Sequence, residues 1–406
     1  MRIKHAVFTL ILIISITLIL FSIGEICFRL TDVPNPLLDT TQKSPNSLFP
    51  ANLSLNEPSS VPGEFQYSSH TNRLGYRGKN FDPVKNPQTL RIFAVGDSFT
   101  YGVGANDDET IPALIEQNLN ESGMSVEVIN AGIGHSSPIQ HYVNLRNIHL
   151  PYQPDLVLLL FDMTDLWDDW HSERMAVYDK NGEIIRFDPT YRNGKRDWWL
   201  TSMQYSYFCR WINRKIVRTF DKIHKLGFKE FVRAIKEGKR AKALIIQSKN
   251  LENDESTIEY DGLLLMRGRE KKDLIGKHWP RTVKYLTKIK EQLEREGIPF
   301  ILVAYPHGIY VGRQEWNKGR ETWGFETDKL YTDYYPFELL QTFAQEQNIP
   351  FINTLPDFPK TDEKKFFYDY DGHMTPDGYA IVAHSILNHP VFQNTLQHLI
   401  SRKTRN

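Results

Sequence analysis

From Leu90 onward the chain alternates short apolar runs with stretches of helical periodicity, and this alternation restricts it to a narrow set of folds. The sharpest run is Asp155 to Phe161 (Asp-Leu-Val-Leu-Leu-Leu-Phe). It is apolar throughout rather than alternating, the pattern of a central parallel strand buried on both faces. Strands are predicted at Arg91–Val95, Ser125–Asn130, Asp155–Phe161, Pro299–Ala304 and Pro350–Asn353. Helices are predicted at Glu109–Glu121, Pro138–Leu150, Arg281–Glu296 and Phe337–Gln347, with a last one from about Pro376. Strands that alternate with crossover helices imply an α/β fold with a doubly wound parallel sheet in three layers, α/β/α.

The rest of the chain is organised around that pattern. Ala6 to Ile23 is an eighteen-residue run without a charge, roughly 27 Å long as a helix, close to the thickness of a bilayer's hydrocarbon core. A cleaved signal peptide would need a small-x-small site after the run, and none follows. Ile26 also stands before Cys27 where a lipoprotein signal needs a small residue, so residues 1–30 read as a cytoplasmic tip and an uncleaved, single-pass signal anchor. Arg2 and Lys4 before the run, against Arg29 after it, place the N-terminus in the cytoplasm and the remainder outside it. Residues 31–88, broken by Pro34, Pro36, Pro50, Pro58 and Pro62, read as an extended linker. Residues 89–169 and 281–395 carry the α/β pattern. Residues 170–280 form an insertion, opening on a hairpin signal around Asn181-Gly182 and turning basic between 210 and 249, with thirteen Lys or Arg against three acids. That stretch is read as a solvated helix pair or as a contact for anionic headgroups or glycan.

Forty-nine basic residues balance forty-nine acidic ones, so there is no electrostatic case for a nucleic-acid partner. The two cysteines, Cys27 and Cys209, make neither a disulfide framework nor a zinc site. No cofactor is expected. The acids Asp162, Asp165, Asp168 and Asp169 lack the loop spacing of an oxygen-ligand metal site.

Chemistry concentrates at Ile92-Phe93-Ala94-Val95-Gly96-Asp97-Ser98-Phe99-Thr100-Tyr101-Gly102. A serine just beyond the first strand lies at the edge where open parallel sheets build their sites, and its own N–H can help hold an oxyanion. Here the chain resembles the SGNH hydrolases, or GDSL esterases, over roughly residues 86–169 and 281–390. The resemblance implies a flavodoxin-like catalytic domain in which Ser98 is the nucleophile. Gly132, within Asn130-Ala131-Gly132-Ile133-Gly134, is implied as an oxyanion donor, and His373, within Asp369-Tyr370-Asp371-Gly372-His373, as the base. The third family block departs from its pattern, because Phe161-Asp162-Met163-Thr164-Asp165 puts Thr164 where the family has an oxyanion asparagine. Asp371, two residues before His373, is preferred over Asp369 as its orienting acid. Asp97, Asp165 and His307 are read as substrate contacts, while His135 and His141 are weaker pocket candidates. Trp167, Trp170, Trp198 and Trp199 offer faces for sugar stacking or for packing. The expected function is a serine esterase that hydrolyses or transfers an acyl group, such as O-acetyl, on an extracytoplasmic glycan, with lipid esters also open. The alternative is a glycan-binding or assembly protein that keeps the fold without turnover, which the Thr164 departure favours.

Overall fold

The computed structural model describes residues 2–30, 48–59, 61–217, a few positions between 219 and 233, 261–360 and 364–403. The chain divides into two compact units, one of residues 45–173 and 242–406, the other of residues 1–44 and 174–241.

The larger unit is built on five parallel strands, β1 (Leu90–Gly96), β2 (Val126–Gly132), β3 (Leu156–Phe161), β4 (Phe300–Ala304) and β5 (Phe351–Asn353), in the order β2-β1-β3-β4-β5. Every residue of β1, β3 and β4 is buried, as the continuous apolar runs require of strands covered on both faces. Helices flank the sheet, among them Ile111–Glu121, Pro138–Asn144, Lys272–Arg295, Tyr335–Glu346 and Pro376–Asn388. In this order the chain reverses direction between β1 and β3, and the crevice beyond the carboxyl ends of those strands is where such sheets bind ligands.

Two expectations change. The helix predicted from Arg281 starts at Lys272 and runs through Pro280. Burial of Leu274, Ile275, Tyr285, Leu286 and Ile289 along one face outweighs the roughly 3 kcal/mol that an interior proline costs. The linker read over 31–88 also changes in its described part. Ser54–Pro58 and Gln66–His70 pair as an antiparallel hairpin, and Arg77 makes an antiparallel bridge to Asn130 of β2. Tyr67, Tyr76 and Phe81 are buried anchors within an otherwise polar, proline-broken stretch. Residues 31–47 lie outside the described residues.

The smaller unit holds the N-terminal helix Arg2–Leu30, whose stretch Ile11–Leu30 is long and apolar enough to cross a membrane. It also holds the antiparallel pair Ala176–Tyr178 and Ile184–Phe187, closed through Asp179–Gly182, and the short helices Trp198–Tyr205 and Tyr207–Ile212. Most of the basic stretch beyond Val217 lies outside the described residues. Residues 261–280, read as insertion, belong instead to the larger unit.

Candidate active site

β1 ends at Gly96, and a side chain is excluded there. A Cβ would lie 2.0 Å from Thr100 Oγ1 and 3.0 Å from the Leu160 carbonyl oxygen of the neighbouring strand. The chain turns at once into the short helix Ser98–Tyr101, which Asp97 caps by accepting the Phe99 N–H at 2.9 Å. Ser98 opens that helix, so its own N–H has no partner within it.

His373 reaches Ser98 from a loop 275 residues further along, with Nε2 at 2.9 Å from Oγ. Its Nδ1 contacts the Asp371 carboxylate, and Gly372 between them has φ +91°, a left-handed conformation that lets the two side chains meet across so short a segment. Burial lowers the proton affinity of His373, but the hydrogen bond and charge of Asp371, together with Asp97 and Asp162, outweigh it and raise the pKa above the ordinary imidazole value. Burial likewise raises Asp371, yet its bonds to His373 leave it below the usual carboxylate range. Asp369 instead lies among lysines, 3.2 Å from Lys365 and 3.9 Å from Lys318.

The loop bearing these groups is held by residues that sequence reasoning missed. Glu64, beyond the first hairpin strand, accepts the backbone N–H of Tyr370 at 2.6 Å and of Asp371 at 3.2 Å. Glu315 accepts those of Phe366 and Phe367, and Trp316 Nε1 donates to the Tyr370 carbonyl. Arg77, almost wholly buried, donates to the carbonyls of Tyr101, Gly102 and Ala105 and pairs with Asp107, fixing the chain that leaves the Ser98 helix. Isolated glutamates and arginines carry no sequence signal of partners from tens to hundreds of residues away.

Behind Ser98 lies a sealed polar network. His307 Nε2 contacts Asp162 Oδ2 at 2.9 Å, and the Tyr305 hydroxyl lies 2.9 Å from Asp162 and 3.1 Å from Asp97. The single hydroxyl hydrogen serves one of these carboxylates at a time. Burial and the neighbouring Asp162 charge raise Asp97 to about 7, whereas His307 and the Thr164 N–H hold Asp162 low despite its burial. Asp165 and Asp168, fully buried, are pushed well up by desolvation. Asp97, Asp165 and His307, read above as substrate contacts, are all buried. The strands end in side chains that bond one another instead.

The two further oxyanion candidates are engaged elsewhere. The Gly132 N–H donates to Asn130 Oδ1 at 3.0 Å, and the Thr164 hydroxyl donates to Asp168 Oδ2 at 2.8 Å. His141 lies buried in the helix Pro138–Asn144, its pKa lowered to about 3 by desolvation, while His135 is exposed with φ +57°. Trp167, in the helix Asp165–Arg174 that follows β3, is half-buried and stacks on His171, and its buried indole N–H has no acceptor among the described residues. No group of three or more potential metal ligands occurs among those residues.

Residues 94–325, more than half the chain, match the model of the GDSL-like lipase/acylhydrolase family. Comparison with curated proteins returns no match. Among solved structures, an acetyl xylan esterase is 14% identical over 73% of this chain and 98% of its own, with a TM-score of 0.36. A putative acylhydrolase from Bacteroides fragilis is 14% identical over 79% and 91%, with a TM-score of 0.35. A lipase/acylhydrolase from Enterococcus faecalis is 14% identical over 76% and 96%, with a TM-score of 0.33.

Proposed function

The chain belongs to the GDSL-like lipase/acylhydrolase family and is a serine ester hydrolase, and we propose that its reaction runs through Ser98, His373 and Asp371. The observation that carries this assignment is the Ser98 Oγ to His373 Nε2 contact at 2.9 Å, with Asp371 on the other ring nitrogen. His373 takes the hydroxyl proton as Ser98 Oγ bonds to the ester carbonyl carbon. Asp371 holds the tautomer and stabilises the imidazolium. The oxyanion is met by the Ser98 N–H at the start of its helix. Collapse of the tetrahedral adduct breaks the bond to the alcohol, which leaves with the proton from His373. Water, or an acceptor hydroxyl, then gives its proton to His373 and attacks the acyl-enzyme, releasing acid or transferred ester and restoring Ser98.

For substrate, an acyl ester of a glycan, such as an O-acetyl group, fits best. Trp167, half-buried and stacked on His171 in the helix that follows β3, is the aromatic ring nearest in sequence to that strand end that could pack against a sugar. The N-terminal helix serves as a single-pass anchor with the larger unit outside the cytoplasm, a reading supported by Arg2 and Lys4 before the apolar run. The engaged Gly132 N–H and Thr164 hydroxyl favour a second reading, a binding protein with little turnover. Fluorophosphonate labelling separates the two. Covalent capture that disappears in Ser98→Ala, with hydrolysis of a small acetyl ester lost by roughly 10⁴-fold or more, establishes the enzyme. Failure of the folded wild-type protein to label overturns it.

A further inference from the structure

The smaller unit contains a contact that the reaction does not use. Glu25, near the end of the N-terminal helix, accepts hydrogen bonds from the Ser206 hydroxyl at 2.8 Å and from the N–H groups of Tyr207 and Phe208 at 3.2 and 3.0 Å. These are donors at the start of the helix Tyr207–Ile212 that no intrahelical carbonyl can satisfy. Phe21 meets Phe208 edge-on at 5.2 Å, and Phe28 stacks on Trp211 at 4.9 Å. Arg29 pairs with Glu25 at 3.0 Å and lies over the Tyr207 ring. The last two turns of the N-terminal helix are therefore part of a folded unit rather than a detachable leader.

This contact fixes a depth. If the charge-free run Ala6–Ile23, rather than the longer stretch to Leu30, is the part within the hydrocarbon, Glu25, the first charge beyond it, stands at the headgroup level; residues Ile11 to Leu20 of that run are all exposed. Whatever is bonded to Glu25 stands there too. The adjoining segment suits that level. Trp198 is 75% exposed and Tyr205 63%, large amphipathic rings that are poorly placed in water but favoured at a membrane interface. Ile216 is also exposed, and the same segment carries the exposed cations Lys195, Arg196 and Lys215, side chains long enough to reach phosphate.

We propose that residues 195–217 form an interfacial foot lying in the phospholipid headgroup layer of the membrane that the N-terminal helix crosses. The proposal rests on reading that helix as an anchor, and it adds that the helix is retained because Tyr207 and Phe208 depend on Glu25.

The test uses the full chain in nanodiscs of phosphatidylcholine and phosphatidylglycerol, with a photoreactive benzophenone amino acid placed singly at position 198, 205, 16 or 84. Val84 is an exposed residue of the larger unit and Ile16 lies mid-span. Irradiation should give lipid adducts at 198 and 205 at least about fivefold above those at 84, with adducts also at 16. Glu25→Ala should reduce the adducts at 198 while leaving those at 16. Adducts at 16 but not at 198 or 205, or crosslinks from 198 to a second copy of the chain in place of lipid, overturn the foot and leave the anchor standing. Absence of adducts at 16 overturns the anchor, and the foot with it.

Discussion

Two histidine–carboxylate pairs lie within a few ångströms of the same phenylalanine. The Phe99 ring is 4.7 Å from that of His373 and 5.1 Å from that of His307. His373 and Asp371 sit on a loop, both partly accessible, and each imidazole nitrogen has a different partner, the acid on one side and Ser98 on the other. His307 and Asp162 sit at the ends of β4 and β3, Asp162 sealed completely, and their remaining contacts run inward through Tyr305 to Asp97. The same two residue types thus serve two ends. A pair becomes a proton carrier where one nitrogen faces a nucleophile and space for substrate. It becomes a brace where the acid is sealed and bonded to several protein groups at once.

The sharpest way to break this comparison is to remove one acid from each pair. Asp371→Asn should lower kcat by about 10³–10⁴-fold through loss of the correct tautomer and of imidazolium stabilisation. It should also move the acid limb of the pH–rate profile. His373 works as a base only when neutral, and its raised pKa makes wild-type activity fall as the pH drops through a value above that of an ordinary imidazole. Without the Asp371 charge that pKa falls, so the limb should shift to lower pH. An unshifted limb would mean that another group controls it.

His307→Gln and Asp162→Asn should cost less in rate, about 10- to 100-fold, because they displace Ser98 only through Asp97 and Tyr305. Their larger effect should be on stability, with several kcal/mol lost as a buried partner is left uncompensated, read as a fall in thermal midpoint. If His307→Gln proves as inactive as a His373 variant while keeping the wild-type midpoint, the brace is in fact a second catalytic pair.

Glu64→Gln sharpens the comparison on the loop side. Two backbone N–H groups lose a charged acceptor, and kcat should fall about tenfold with KM nearly unchanged. Smallest of all, Asp369→Asn should stay within about twofold, since its lysine contacts are exposed ion pairs. A larger loss at Asp369 than at Asp371 would reverse the assignment of the acid.

The parallel sheet was legible because burial on both faces demands uninterrupted apolar strands, and Asp155 to Phe161 has no other reading. Ser98 was legible because its position follows from the strand it terminates. The ends of β3 and β4 were not. A histidine at a strand terminus reads as a substrate contact, and only the structure reveals that His307 is sealed by Asp162. Proline-rich composition hid the hairpin at 54–70 and the chain after it, where Tyr67, Tyr76 and Phe81 supply enough burial to order a polar stretch. Pro280 hid the first turns of a long helix for the converse reason, its local penalty being visible and the tertiary compensation not.

The 275 residues between Ser98 and His373 have a consequence in time. At ribosomal rates of about 5–20 residues per second, the serine is complete for roughly 14 to 55 s before its base exists. Throughout that interval the nascent chain holds a nucleophile with nothing to take its proton. Contacts at such long range also close late in folding, after the local strands and helices have formed. With the roles proposed above, the hydrolase would acquire its base only after all five strands of the parallel sheet have been synthesised.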